Sequence, residues 1–130
     1  MRLENHIAKL REHTRALEWA LEQDNQSAIG FHASAGSVEL LSILLHKLGK
    51  VTADFQINHA WFKSRRILEA KLNADFPRKE EIIAVMEEIE ELRNPLCYGS
   101  PRPEEAVAEM ADCFRGLKAT IEEILGEKLD

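Results

Sequence analysis

The residues best suited to chemistry lie in a short stretch, RNPLCYG, that runs from Arg93 to Gly99. Arg93 supplies a fixed positive charge and a fork of donors that matches phosphate oxygens, and Asn94 adds a neutral donor and acceptor. A residue before a proline is disfavoured in helical dihedrals, so Pro95 is expected to turn Asn94 off the regular helix surface. A local kink could then bring Tyr98 to Arg93. The stretch indicates an anion-binding group; the alternative is that Arg93 pairs with a nearby glutamate and Tyr98 packs under the next loop.

A second candidate is a basic cluster interleaved with aromatic residues. Lys63, Arg65 and Arg66 follow directly on Trp61 and Phe62. Arginines beside an aromatic ring suit contacts with phosphates and with stacked bases. The alternative is ordinary surface charge on a helix whose Trp61 belongs to the core.

The five histidines give no metal-ligating pattern, since no Glu-x-x-His or His-x-x-x-His pair occurs. We therefore predict neither a metal nor a cofactor. His32 and His59 are the two histidines expected near the interior, and His59 is a candidate ligand-binding residue. The glutamates of one charged segment fall opposite an apolar face and are interpreted as solvated: Glu80, Glu81, Glu87, Glu88, Glu90 and Glu91.

The elements that must position these residues are all helical. Apolar periodicity predicts helices over about residues 3–22, 26–48, 59–73 and 77–93, and a fifth that begins at Pro103 and carries apolar residues from 107 to 125. Residues 50–58 are predicted to form a loop. With short connections and no strands, the chain is expected to be a single domain over 1–130, an all-α, up-and-down bundle of four or five helices.

Two of these helices have special features. The helix over 26–48 is apolar on two sides, so it is either the central helix of the bundle or part of a subunit interface as well. Its first half, SAIGFHASAGS, is rich in small residues that let another backbone come close. The fourth helix is predicted to end or kink at Pro95, which lacks the amide that would bond to the carbonyl of Glu91.

Composition limits the function classes. The formal net charge is −6, which argues against a general nucleic-acid coat and leaves room for a small local basic site. Hydrophobic residues make up 45% and charged residues 31%, values that fit neither a disordered chain nor a membrane protein. No apolar run approaches the ~20 residues of a membrane span, and the charged start MRLENHIAKLREH has no signal core. We therefore expect a cytoplasmic protein, with no membrane partner and with Cys97 and Cys113 reduced.

The order of these segments resembles the HEPN family of small helical bundles, over most of the chain. In that family a central helix rich in small and aromatic residues, here AIGFHASAGSVELLSILLHKLG, precedes a loop and a His-led segment, here INHAWF. A later helix ends in an Arg, a polar residue and, four to six residues after the Arg, a His; a long helix follows. Arg93 and Asn94 match the first two motif positions, and Tyr98 stands where the His is expected. The stretch RNPLCYGSPRPEEAVAEMADCFRGL is similar to a branch with Tyr-Gly at this point.

The resemblance implies a homodimer in which the arginine motifs of two subunits approach each other. It also implies a partner of the nucleotidyltransferase type, in a toxin–antitoxin pair or a related arrangement. Active members are metal-independent ribonucleases, in which the RNA 2′-hydroxyl attacks the adjacent phosphate, a His moves protons and an Arg stabilises the charged phosphorane.

The tyrosine changes what can be expected of the motif. Histidine titrates near pH 6.5 and tyrosine near pH 10, so Tyr98 is a poor general base at neutral pH. Loss of acid–base help costs about a hundredfold to ten-thousandfold in rate. Three functions remain open: a dimeric module in which Arg93, Asn94 and Tyr98 recognise RNA or nucleotide phosphate; a ribonuclease that uses Tyr98 with help from His59 or His32; and a structural partner of a nucleotidyltransferase.

Overall fold

The structure is a computed structural model that describes residues 1–129, and over that range it is entirely helical, without a strand. This confirms the predicted all-α class. The elements in chain order are α1 (Leu3–Glu22), α2 (Gln26–Lys47), a 3₁₀ helix (His59–Lys63), α3 (Arg65–Lys71), α4 (Lys79–Tyr98) and α5 (Glu104–Leu125).

Side-chain contacts fix the directions of the first two helices. His6 near the start of α1 bonds to Glu39 in the second half of α2, whereas His13 further along α1 bonds to His32 in the first half of α2. The two helices are therefore antiparallel. They are joined by a tight turn in which Asn25 caps α2, its side-chain oxygen accepting from the Ala28 amide at 3.2 Å.

Helices α2 and α5 run in the same direction. At one end the Gln26 side chain makes two hydrogen bonds to the backbone of Arg102, one to its carbonyl and one from its amide, both 2.8 Å long. At the other end Lys47 pairs with Glu127. Since Arg102 precedes α5 and Glu127 follows it, the two helix axes are parallel.

Helix α4 runs against both of these helices. Arg78, just before α4, pairs with Glu123 near the end of α5 at 3.4 Å. At the other end, the Ser27 hydroxyl at the start of α2 donates to the Cys97 carbonyl at 2.9 Å. Helices α1, α2, α4 and α5 therefore form an up-and-down bundle, and the 3₁₀ helix and α3 lie in the long connection between α2 and α4.

Helix α2 is the central helix, as its two apolar sides predict, because it packs against α1, α4 and α5. Two of its small residues make these contacts possible. A Cβ on Gly30 would lie 2.9 Å from the Leu96 Cβ and 3.2 Å from the Arg93 carbonyl oxygen, both on α4. A Cβ on Gly36 would lie 2.8 Å from the Phe114 ring of α5. The small residues thus bring neighbouring helices of the same chain close to α2.

By length and composition α2 alone among the described helices could cross a membrane, which the sequence had not led us to expect. However, 67% of its most apolar window is buried inside the bundle. That burial is what a core helix of a soluble protein shows.

The third predicted helix is not continuous, and this part of the prediction is wrong. Ser64 interrupts it with extended backbone (φ −141°, ψ 117°), between the 3₁₀ helix and α3. The Ser64 hydroxyl accepts the Ile67 amide at 3.4 Å and caps α3, which ends at Lys71 instead of continuing to residue 73. Serine competes for local backbone amides in this way, so a helical pattern that contains it can break there.

Pro95 does not end α4, which was one of its two predicted effects. The helix runs through it to Tyr98, and Asn94 keeps its place within the helix. Tertiary contacts hold this last turn: Leu96 is buried against α2 beside Gly30. Packing therefore outweighs the local cost of a proline in the helix interior.

Candidate functional site

The candidate site is a groove of about 650 Å³ between α2, the loop before the 3₁₀ helix, the 3₁₀ helix and α4. Pockets of a few hundred to a thousand Å³ are typical of sites for small ligands. Its walls are Phe31, Ser34, Ala35, Val38 and Glu39 of α2, Gln56, Ile57 and Asn58 of the loop, His59 and Trp61 of the 3₁₀ helix, and Arg93 of α4.

His59 is held in the groove wall by a buried carboxylate. It is the first residue of the 3₁₀ helix, which Asn58 caps by accepting the Ala60 amide at 2.9 Å. The His59 Nδ1 lies 2.8 Å from Oε1 of Glu90 on α4. A ring nitrogen bonded to a carboxylate carries the proton, so this contact assigns the hydrogen to Nδ1 and leaves Nε2 as the ring atom available to a ligand.

Glu90 is one of the few charged side chains inside the bundle, with 5% of its surface exposed. Its second oxygen, Oε2, makes no hydrogen bond, and the Lys63 ammonium lies 3.7 Å from it. That distance is too long for a hydrogen bond but short enough for an ion pair. A buried carboxylate needs such partners, so Glu90 depends on His59 and Lys63. The prediction that all glutamates of this segment are solvated is therefore wrong for Glu90.

Arg93 follows Glu90 by three residues, so the two lie on one face of α4. The Arg93 guanidinium donates to the Asn94 side-chain oxygen at 3.1 Å, and within residues 1–129 no carboxylate pairs with it. This contradicts the alternative in which Arg93 pairs with a glutamate. Burial raises the pKa of the nearby Cys97 thiol, and the Arg93 charge acts in the opposite direction. Arg93 thus brings a positive charge without an ion-pair partner, and further N–H donors, to the groove.

The other predicted site residues lie elsewhere. Tyr98, the last residue of α4, is 76% exposed and does not line the groove to which Arg93 belongs. Arg65 also lies outside the groove and forms ion pairs with Glu87 at 2.7 Å and Glu80 at 3.1 Å. Arg66 is exposed and is likewise absent from the groove wall.

Two aromatic side chains and one carboxylate of the groove were not among the predicted site residues. Phe31 lines it while 46% exposed, and Trp61 lines it while partly covered by Phe55, with the ring centroids 6.0 Å apart. Glu39 contributes the carboxylate. The sequence did mark Phe31, because it is an aromatic residue among the small residues of α2. The groove itself was not predictable, because the residues that face Phe31 across it are distant in sequence.

The remaining histidines form a polar seam between α1 and α2. The His13 and His32 Nδ1 atoms are 3.0 Å apart, so at least one ring is neutral and accepts. Burial lowers the pKa of both, and the neighbouring His32 lowers that of His13 further. The His6 and His46 rings contact each other in a tilted arrangement, with their centroids 5.0 Å apart. Burial, and then the charge of His6, lowers the pKa of His46.

In comparisons with protein-family models, with curated proteins and with solved structures, nothing matches the chain. The functional argument therefore rests on the residues of the groove.

Proposed function

We propose that the groove binds the phosphate of an RNA or a nucleotide, with Arg93 and His59 as the phosphate-binding pair. The observation that carries the proposal is the unpaired guanidinium of Arg93 in the same groove as His59. Arg65, in contrast, is neutralised by two carboxylates. A half-buried arginine without that partner has its charge and its fork of donors available for an anion.

The rest of the groove fits the remainder of such a ligand. Phe31 and Trp61 offer aromatic faces on which a base can stack. The net charge of −6 limits binding to this local site and opposes the non-specific coating of nucleic acid. Asn94 acts by orienting the guanidinium through its 3.1 Å hydrogen bond, and Tyr98 has no part in the site.

The test is binding of a fluorescein-labelled hexaribonucleotide, followed by anisotropy at low salt. Arg93→Ala is expected to weaken binding by about tenfold or more, because it removes a charge-assisted contact. Arg66→Ala is the matched control, since it removes the same charge from an exposed position outside the groove. Equal losses in the two variants, or no binding by the wild type, would contradict the proposal.

A second function, metal-independent cleavage of RNA, is favoured by the hydrogen bond between His59 and Glu90. In this reaction the 2′-oxygen forms a bond to phosphorus and its proton passes to His59 Nε2. The bond to the 5′-oxygen breaks, and that oxygen takes a proton from water. Arg93 stabilises the charge on the pentacoordinate phosphate. His59, not Tyr98, is then the proton-transferring residue of the site.

Cleavage is measured with a dinucleotide substrate in the presence of EDTA. His59→Gln is expected to lower the rate by about a hundredfold or more, whereas Tyr98→Phe leaves it unchanged. Absence of a 2′,3′-cyclic phosphate product from the wild type would dismiss the reaction and leave the binding function in place.

We further propose that the bundle is HEPN-like, cytoplasmic and a homodimer. Support comes from the up-and-down arrangement, from the burial of α2, and from large apolar side chains left at the surface: Trp19 is 54% exposed and Tyr98 76%. Such side chains are enriched at interfaces. Sedimentation equilibrium at micromolar concentration tests the homodimer, and a monomer would contradict it.

A further inference from the structure

Glu39 is a second charged group in the groove and has an unusual support. Its side chain is 14% exposed, and its Oε2 lies 2.6 Å from Nδ1 of His6 on α1, a histidine that is itself 2% exposed. The buried histidine fixes the position of the carboxylate at the groove wall. The other oxygen, Oε1, makes no hydrogen bond within residues 1–129 and remains an acceptor for a ligand.

Glu39 and Arg93 both line the groove, and their backbones lie at different levels along α2. The Arg93 carbonyl comes within 3.2 Å of the Cβ position of Gly30, so Arg93 stands at the level of the first turns of α2. Glu39 lies nine residues further along α2, which corresponds to about 13 Å along the helix axis. Phe31 and Trp61 contribute to the wall of the same groove.

A ligand that satisfies both residues carries an anion for Arg93 and N–H donors for Glu39. Between them it should be flat and apolar on its faces, so that it can stack on the aromatic side chains. A nucleotide has this form, with its phosphate at Arg93 and the edge of its base at Glu39.

The donor pattern distinguishes the bases. Facing a carboxylate, adenine presents an amino donor flanked by ring nitrogens that are acceptors, uracil presents one N–H between two carbonyl oxygens, and cytosine presents a single amino donor. The acceptors of adenine and uracil repel the carboxylate, and cytosine offers it only one donor. Guanine alone presents two adjacent donors, N1–H and the N2 amino group, which can both donate to Oε1.

We propose that the groove selects guanine nucleotides and that Glu39 is the residue that determines this specificity. The proposal rests on the phosphate-binding function proposed above. His6 acts as a positioning residue, because its hydrogen bond holds Oε2 and presents Oε1 to the base.

The proposal is tested by titrating the wild-type protein with GMP, IMP and AMP in a calorimeter. GMP is expected to bind about tenfold or more tightly than AMP, in line with the discrimination of a good pair of base contacts. IMP keeps N1–H and lacks the N2 amino group, so an intermediate affinity is expected. Equal affinity for GMP and AMP would overturn the guanine assignment and leave phosphate binding intact.

The matched variants are Glu39→Gln and, as a control, Glu105→Gln at an exposed position of α5. Glu39→Gln is expected to abolish the preference for GMP, while AMP binding is retained or becomes somewhat tighter because the repulsive charge is removed; retained AMP binding also shows that the groove is still folded. Glu105→Gln should keep the preference. If Glu39→Gln retains the full GMP preference, Glu39 is not the specificity residue.

Two hexaribonucleotides that differ in one base, G or A, distinguish the source of the guanine. Tighter binding of the G-containing hexamer than of GMP supports RNA as the ligand, and the reverse supports a free nucleotide. If neither hexamer nor any of the mononucleotides binds, the phosphate-binding function fails, and the guanine assignment fails with it.

Discussion

His59 and Glu90, which are 31 residues apart in the chain, meet at 2.8 Å between the imidazole Nδ1 and the carboxylate Oε1. This contact ties the 3₁₀ helix to α4. The carboxylate is buried and the ring lies in the groove wall. This interaction therefore helps to fix the position of the loop segment, the orientation of the ring and the distance between the 3₁₀ helix and the helix that carries Arg93.

Glu90→Ala should destabilise the fold by about 1–3 kcal/mol, because His59 Nδ1 and the Lys63 ammonium lose their buried partner. It should also weaken oligonucleotide binding, since the imidazole is no longer oriented. Urea denaturation and anisotropy measure the two effects. Glu91→Ala, at the exposed next position, should change stability by no more than about 0.5 kcal/mol. Similar losses in both variants would show that the buried pair has no special role.

Replacing two helical glycines by alanine should change the stability of the protein in opposite directions. Gly30→Ala should destabilise the protein by about 1–3 kcal/mol, because the new methyl group overlaps α4 at Leu96 and Cys97. Gly116→Ala in α5 meets nothing within 4 Å and should stabilise by about 0.5–1 kcal/mol through helix propensity. Thermal unfolding followed by circular dichroism gives both values. A stabilising Gly30→Ala would contradict the close approach of α2 and α4.

The seam between α1 and α2 should make stability depend on pH. The pKa values of His13 and His32 lie below their ordinary value of 6.5, so the folded protein favours the neutral rings. The contribution of the two neutral rings to the free energy of unfolding is fully present above pH 6.5. It is lost as the pH falls from there through the folded-state pKa values. Near His13, Lys9 adds to the lowering and Glu12 opposes it.

Other pairs in the bundle have their own pH dependence, so the informative quantity is a difference. The free energy of unfolding of the wild type minus that of His13→Gln should decrease between pH 7.5 and pH 5. Urea denaturation at both pH values measures it. A difference that grows on acidification would show that protonation stabilises the pair, the opposite of what burial of the two rings predicts.

The two cysteines should react slowly and at different rates with iodoacetamide at pH 8. Burial and then the nearby Glu88 raise the pKa of Cys113 to about 12. Burial also raises the pKa of Cys97, but the Arg93 charge opposes this. Because the thiolate is the reactive form, Cys97 should be modified first, as peptide mass spectrometry can show. Arg93→Ala should slow the modification of Cys97. Modification of Cys113 before Cys97 would contradict the expected order of the two thiol pKa values.

The long helices were predictable from sequence because apolar periodicity is a local property. The 3₁₀ helix was not, because Ser64 breaks a pattern that otherwise reads as one helix. The course of α4 through Pro95 depends on packing of Leu96 against α2, and no local rule contains that contact.

The site was predictable only in part. Arg93 and His59 were identified by residue type, and the structure places both in one groove. Tyr98 was grouped with Arg93 because a kink was expected at the proline; the helix runs through the proline, and Tyr98 is exposed at its end, outside the groove. Glu90 was missed because its burial depends on His59 and Lys63, which belong to a different segment of the chain.

The pair of hydrogen bonds between Gln26 and the backbone of Arg102 has a consequence for recognition. It fastens the turn after α4 to the start of α2, whereas the contact between His59 and Glu90 holds α4 on the other side of Arg93 along the chain. The end of α4 is thus anchored at two points before any ligand arrives. Arg93 is presented by a preorganised scaffold, so association requires little rearrangement of the backbone and should proceed by rigid docking instead of induced fit.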